Sequence, residues 1–475
     1  MKKNIGWLKL FGVALLSLSL VIPVSVPPVS RAADETGAVS IAQVPENYYY
    51  SLIDDEDTRK VHDAYKSLIN GSYITAGKRL EDFSESELKS LVTQGKAASF
   101  GLTDKSLTND DLPMIVTTAF EAINYDDPMD VKSQALSYSA DAVIIGGTMY
   151  LGYTNLPKLD LDDMQKKADE AKTWIVNEIR NDPRYSEDPA VKELLVHDYL
   201  CANMKYDGAA AVGNGDRLYI GHTVYAAMVE GNAVCDAISM SCASILKDLG
   251  VEAYVVDGDS HAWNLIKLDD KYYELDCTWD MAQFDDENKT SHKYFNRKTE
   301  YMTETDHTRE LLSLKLPQAD GDVYTYEKVM ADMGYVIGEY SMGNLNYELN
   351  ERMEAVLKGA SGSVKKLNIP DVIKVNGHDY KVIMIEDDAF KNSNVKNLTI
   401  GKNVQILGER AFAGCKKLKT VTIKSAKVLQ YVLADSFKGA AKKITFKIKG
   451  GKKDFTVLKQ VLIDVGVKKG TFIRK

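Results

Sequence analysis

Apolar positions recur at helical spacing over residues 53–69 and 159–179, a period that predicts two amphipathic helices in the first 180 residues. Asp160 or Asp162 stands where the second would be capped. Residues 140–155 are rich in Gly and Tyr and read as a turn region. Beyond residue 231 the pattern changes. A run at 236–249 reads as a helix stopped by Gly250, and 253–256 as a strand. Residues 261–268 and 271–278 read as two strands around Asp269-Asp270. A two-residue turn there pairs Leu268 with Lys271, so every cross-strand pair of residue numbers sums to 539. Glycines 343, 359 and 362 mark residues 342–363 as a linker around a short helix.

From residue 385 the pattern returns to itself. Ala389-Phe390 recurs as Ala411-Phe412, 22 residues on, and loosely as Ser436-Phe437. The strand-like segments 397–400, 420–423 and 443–446 follow at intervals of 23. A period of this length implies a solenoid with one strand per turn, in which stacked neighbours complete each core.

Three residues in the middle of the chain can carry chemistry together. Cys235 follows Glu230-Gly231-Asn232 and opens the helix that ends at Gly250. A thiol there faces unpaired N–H groups and the positive end of the dipole, so a lowered pKa is expected. In the hairpin register Trp263 faces Asp276 and His261 faces Thr278, which makes His261 and Asp276 diagonal neighbours on one face. Diagonal Cβ atoms stand about 7–8 Å apart, within reach of a carboxylate–imidazole hydrogen bond. Nucleophile, base and orienting carboxylate are thus expected at Cys235, His261 and Asp276. Cys242, two helical turns further in, and Cys277, on the opposite strand face from Asp276, read as packing residues.

These segments resemble a known family. Val-Cys-Asp at 234–236, His-Ala-Trp-Asn at 261–264 and Leu-Asp-Cys-Thr-Trp-Asp at 275–280 resemble the three blocks of the transglutaminase-like superfamily. His-Asp-Tyr-Leu at 197–200, Lys-Tyr-Asp at 205–207 and 292–296 support the likeness over about 110 residues in the same order. The resemblance implies an α+β, papain-like core with the nucleophile on a central helix against an antiparallel sheet, and it carries the triad onto Cys235, His261 and Asp276. Many members carry Gly-Tyr two residues after the cysteine, where this chain has Ala237-Ile238. The Cys235 N–H, with Tyr225 second, is the candidate oxyanion donor. The repeats at 385–446, with Gly414-Cys415, resemble the bacterial-surface type of leucine-rich repeat, and 455–473 resembles its C-terminal cap.

The expected organisation is a signal peptide at 1–33, a mainly helical region at 40–180, a transglutaminase-like core at 181–340, a linker at 341–363 and a repeat domain at 364–475. The leader reading rests on Lys2-Lys3, the apolar run at 8–26 and the small residues before Ala33. With the leader removed, no membrane span is expected. The expected location is secreted or cell-surface. Five cysteines form no CxxC pair, and neither HExxH nor a phosphate-binding Gly-rich loop occurs, so no cofactor and no metal is expected.

Residues 361–475 hold 25 Lys/Arg and 9 Asp/Glu, a net +16; the whole chain is −9, which leaves −25 upstream. The basic tail is a candidate for an anionic cell-wall polymer or a surface protein, while nucleic acid is not an expected partner. The leading expectation is a cysteine enzyme acting on amide bonds of a protein or peptide substrate, by cross-linking or by hydrolysis. The alternative is a non-catalytic adhesin or scaffold that binds through its repeats.

Overall fold

The protein is described from a computed structural model covering residues 44–475 apart from 70–77, 155–157, 259, 285–289, 351 and 468. The expected leader lies outside the described residues. In the N-terminal region α1 (Glu56–Leu68) starts where the Asp55 carboxylate accepts the Thr58 N–H at 2.6 Å. Its Val61 and Tyr65 are fully buried and share a core with Ile115, Ala119 and Phe120 of α2 (Leu112–Asp126). The Gly/Tyr-rich stretch is not a turn region. It forms strands β2 (Ala140–Ile145) and β3 (Thr148–Tyr153), joined at Gly146-Gly147, with β1 (Ala98–Gly101) on the other edge of β3. Both glycines have positive φ, 58° and 75°, the backbone that a two-residue hairpin turn requires. The tyrosines lie within strand β3 beside that turn.

Asp160 caps α3 (Leu161–Arg180), accepting from the Asp163 N–H at 3.1 Å. Helix α4 (Pro189–Asn203) is buried over most of its circumference, from Ala190 to His197 and again at Leu200 and Cys201. It packs against α5 (Cys235–Asp248), whose other side lies on strands β4 (Glu252–Gly258) and β5 (His261–Leu268). Small residues on α5 allow this two-sided burial: Ala237, Ser241, Cys242 and Ala243 are all buried. With β6 (Lys271–Leu275) the strands form an antiparallel sheet in the order β4-β5-β6. Leu268 opposes Lys271 and Asn264 opposes Leu275, the register of a two-residue turn.

Residues 342–363 do not form a linker around a short helix. They belong to a meander of β7 (Gly338–Met342), β8 (Leu345–Leu349) and β9 (Glu354–Ala360). The alternation of half-buried and buried residues in β9 is the period of a strand, and the glycines sit at the turns and at the close approach of Gly359 to the Ala389 carbonyl. Strands β10 (Lys366–Asn368), β11 (Val372–Val375) and β12 (His378–Ile385) follow. β9 pairs in parallel with β12, so the meander continues into the first repeat.

The repeats contribute β13 (Asn397–Ile400), β14 (Ile406–Leu407), β15 (Thr420–Ile423), β16 (Tyr431–Val432) and β17 (Thr445–Ile448). Helix α6 (Lys452–Asp464) and β18 (Thr471–Arg474) close the array. One sheet runs β10-β13-β15-β17-β18 and the other β16-β14-β12-β9-β8-β7, with β11 also paired to β12. The third long repeat strand is 445–448 and not 443–446: Val421 pairs with Phe446, so this turn of the solenoid holds 25 residues. Phe412 and Phe437 are also 25 apart, so the lengthening precedes the strand. Phe390, Phe412 and Phe437 stack in line, with centroids 5.4 and 5.7 Å apart.

Truncating the middle ring leaves a cavity that two neighbours cannot fill at once. Phe412→Ala is therefore expected to lower stability by about 3–5 kcal/mol in urea denaturation. A second expectation concerns Glu121 on α2, whose carboxylate contacts the Ser313 hydroxyl at 3.2 Å. Burial first, and Asp257 next, push its pKa from 4.5 to about 8. A carboxyl raised on folding costs stability as pH climbs above its unfolded value, and the cost is complete above the folded one. Glu121→Gln should therefore raise the melting temperature at pH 9 and leave it unchanged at pH 4, as read by scanning calorimetry.

Candidate functional site

The site is assembled at the end of α5. A wide helical turn, Ala226–Glu230, stops at Gly231, whose φ of 63° sends the chain back past the Asn203 carbonyl. Asn232-Ala233 then pairs in parallel with Lys205-Tyr206, which sets Tyr206 alongside the start of the helix. Val234 is extended and Cys235 is the first helical residue. Its thiol is buried and faces the backbone N–H groups of Ala262 and Asp236. The Tyr206 side chain stands beside it. Tyr225, the side chain proposed from sequence as a donor, packs instead against the apolar core.

Burial pushes the Cys235 thiol up to about 12, with the Asp236 charge adding to it and the Ala262 N–H opposing it. The lowered pKa expected from its helix position is therefore not found: removing water from the thiolate outweighs the N–H groups at the helix end. At rest the thiol is protonated and needs a base.

His261 opens β5 one residue before the N–H that faces the sulfur. Its Nε2 lies 2.8 Å from Asp276 Oδ2. A carboxylate only accepts, so the proton sits on Nε2 and Nδ1 is left as the base. Asp276 is fully buried just past the end of β6. Its Oδ1 accepts the N–H groups of Thr278 at 2.8 Å and Trp279 at 3.2 Å. Burial alone would raise this carboxyl, but His261 and His307 hold it well below the usual range. Trp263 stacks beside His261 and Trp279 lies 5.4 Å from it, walls that exclude water from the imidazole.

His307 was not legible in the sequence. It is buried, with Nε2 3.0 Å from the same Asp276 oxygen and Nδ1 2.7 Å from the Thr305 carbonyl. Tyr206 was visible only as part of a supporting block, with no role attached. Asn264 is a further missed residue: its amide donates to the Ser239 carbonyl of α5 at 2.9 Å and to the Tyr254 carbonyl of β4 at 3.1 Å. It ties α5, which begins at Cys235, to β5, which begins at His261. The Trp263 indole is fixed by Glu274 at 2.6 Å, and Glu274 is held by Arg309 at 2.7 Å. Cys242 and Cys277 are buried core residues.

Residues 380–457 match the family model of the BspA type leucine rich repeat region, in six copies. No curated protein matches the chain. Among solved structures, a leucine rich cell surface protein from Faecalibacterium prausnitzii is 20% identical over 25% of this chain and 38% of its own, with a TM-score of 0.20. A leucine-rich repeat protein from Bacteroides capillosus is 21% identical over 25% of this chain and 74% of its own, with a TM-score of 0.17. A crystal structure of a TGase is 17% identical over 38% of this chain and 51% of its own, with a TM-score of 0.22. The chain thus spans little more than a third of the first and half of the last. Among the described residues no helix is long and apolar enough to cross a membrane.

A thiol raised by burial makes a definite prediction. Alkylation of Cys235 by iodoacetamide, followed by mass spectrometry of its peptide, should rise steadily from pH 6 to pH 9, by roughly tenfold per unit where thiolate population limits the rate. A plateau already present at pH 6 would mean a resting thiolate–imidazolium pair instead.

Proposed function

We propose that the protein is a cysteine enzyme acting on amide bonds, with Cys235 as nucleophile, His261 as general base and acid, and Asp276 as the group that orients it. The observation that carries this reading is one constellation. A buried thiol at a helix start lies against the N–H after His261, and that histidine presents Nε2 to a buried carboxylate. The likeness of 234–236, 261–264 and 275–280 to transglutaminase-like blocks supports the same residues and the papain-like form of the core.

The steps follow from the protonation states. His261 Nδ1 takes the thiol proton as sulfur attacks the carbonyl carbon of a carboxamide or peptide, and the carbonyl oxygen becomes an oxyanion. The backbone N–H of Cys235 and the Tyr206 hydroxyl, whose ring stands beside the sulfur, are the donors that would receive that charge. The imidazolium, stabilised by Asp276, gives its proton to the leaving amine as the carbon–nitrogen bond breaks and a thioester remains. Water then yields an acid, and a primary amine yields a new amide; either step returns the thiol.

The repeats fit a surface or secreted setting, in keeping with the leucine-rich type they match. Their net +16 suits an anionic polymer or acidic protein partner, held apart from the chemistry. The specific observation behind a binding role is this charge, and binding of the full-length chain to teichoic-acid-type polyanion should weaken as salt shortens the screening length from about 30 Å at 0.01 M to about 8 Å at 0.15 M.

The chemical reading is tested with a glutamine-containing protein acceptor and a biotinylated alkylamine, following both amine incorporation and ammonia release. Wild type should show at least one of the two. Cys235→Ala should abolish it, and His261→Ala should slow it by about 10²–10⁴-fold. Activity that persists in Cys235→Ala, or a folded wild type inert toward this acceptor, other amide substrates and thiol-directed amide probes alike, would leave the repeats as the working part.

A further inference from the structure

Helix α4 carries His197 and Asp198 in succession, and the segment after residue 290 brings His292 against them. His292 Nε2 lies 2.8 Å from Asp198 Oδ1, and His197 Nδ1 lies 3.6 Å from the same oxygen. His197 is fully buried and its Nδ1 has no hydrogen-bond partner. One donor atom from each residue, two imidazole nitrogens and a carboxylate oxygen, falls within 4.8 Å of the others. Tetrahedral zinc at about 2.0–2.2 Å from each ligand sets its donors roughly 3.4 Å apart, a value between the two measured separations.

The surroundings prepare these groups. The other nitrogen of His197, Nε2, lies 3.1 Å from the buried Asp280 carboxylate. That carboxylate accepts the Nε2–H hydrogen bond and leaves Nδ1 facing Asp198, the orientation in which histidine ligands are usually held. His292 is fixed by stacking on Tyr326, with centroids 3.8 Å apart. The second oxygen of Asp198 is occupied by Arg184 at 2.6 Å, and Arg184 is itself held by Asp182 at 3.0 Å. Histidines aside, Asp182, Asp198 and Asp280 against Arg184 leave a charge of −2 around the cluster, the sign a divalent ion requires. A cleft of about 470 Å³, lined in part by Asp182, Arg184, Asp198 and Tyr199, opens beside Asp198.

We propose that His197, Asp198 and His292 bind a divalent transition-metal ion, zinc foremost, completed by water. Two imidazoles in a three-ligand set select this class over magnesium or calcium, which take oxygen. No short motif joins 197–198 to 292, which is why the sequence suggests no such site. The ion would pin α4 to the segment that follows residue 290 and, through Asp280, to the loop that begins at Asp276. This proposal is independent of the amide chemistry.

Full-length protein stripped with a chelator is titrated with zinc chloride in a calorimeter, and separately with cobalt(II) in a spectrophotometer. One equivalent of zinc should bind, and cobalt should give tetrahedral visible bands. The sulfur-to-cobalt charge-transfer band should be absent, because the nearest thiol, Cys201, lies at the opposite nitrogen of His197. His292→Gln should lose the site, Asp280→Asn should weaken it by about 10–100-fold, and His307→Gln, in the Asp276 cluster, should leave it unchanged. Circular dichroism establishes that each variant is folded. Absence of stoichiometric binding by the unmutated chain, a thiolate band, or parental affinity in folded His292→Gln would each overturn the proposal; should the variants not fold, the cobalt spectrum of the unmutated chain decides.

Discussion

The middle of the molecule depends on one buried charge. Asp276 is removed from water, and an isolated carboxylate in such a place costs several kcal/mol. It persists as an anion because four donors converge on it: two backbone N–H groups on one oxygen and two imidazoles on the other. The N–H groups fix the loop after β6, and the imidazoles fix His261 and the segment around residue 307. Losing one donor would not only remove a hydrogen bond; it would leave the others facing an undercompensated charge.

Around that charge the packing is built for close approach. Helix α5 is covered on both sides, by α4 and by the β4-β5-β6 sheet, so alanine, serine and cysteine occupy positions where a larger side chain would push the layers apart. The polar atoms among them are satisfied locally: the Ser239, Ser241 and Ser244 hydroxyls donate to carbonyls of the helix's own earlier turns. Asn264 supplies a cross-layer link from β5 to the carbonyl of Ser239 on α5. The Ala237-Ile238 pair lies in this covered region, both residues almost wholly enclosed.

How much of this can be read from the chain depends on the range of the interaction. The hairpin around Asp269-Asp270 was legible in its register from Leu268–Lys271 to Asn264–Leu275, because a tight turn fixes register locally, but the ladder stops there and the expected Trp263–Asp276 and His261–Thr278 pairs do not form. The repeat was legible as a repeat, but the strand at 445–448 was displaced by two, since turn length is free to vary while the stacked phenylalanine rings stay 5.4 and 5.7 Å apart. The 140–153 hairpin was hidden by residues that serve turns and strands alike. His307 was hidden for a different reason: it stands 31 residues beyond Asp276 in the polar segment Thr303-Glu304-Thr305-Asp306, where no period marks an inward direction. Tyr206 reaches Cys235 only through a two-residue parallel pairing, too short to leave a pattern. The thiol's environment was misjudged because helix position is local and desolvation is not.

The junction between β9 and β12 sets how the molecule bears tension. These strands run in parallel and share a hydrogen-bonded ladder, so a pull along the strands loads their bonds in shear. The bonds must then yield together, whereas strands peeled from one end yield one at a time. If the repeats grip a surface while the body holds a polymer, the connection resists as a glued lap joint does.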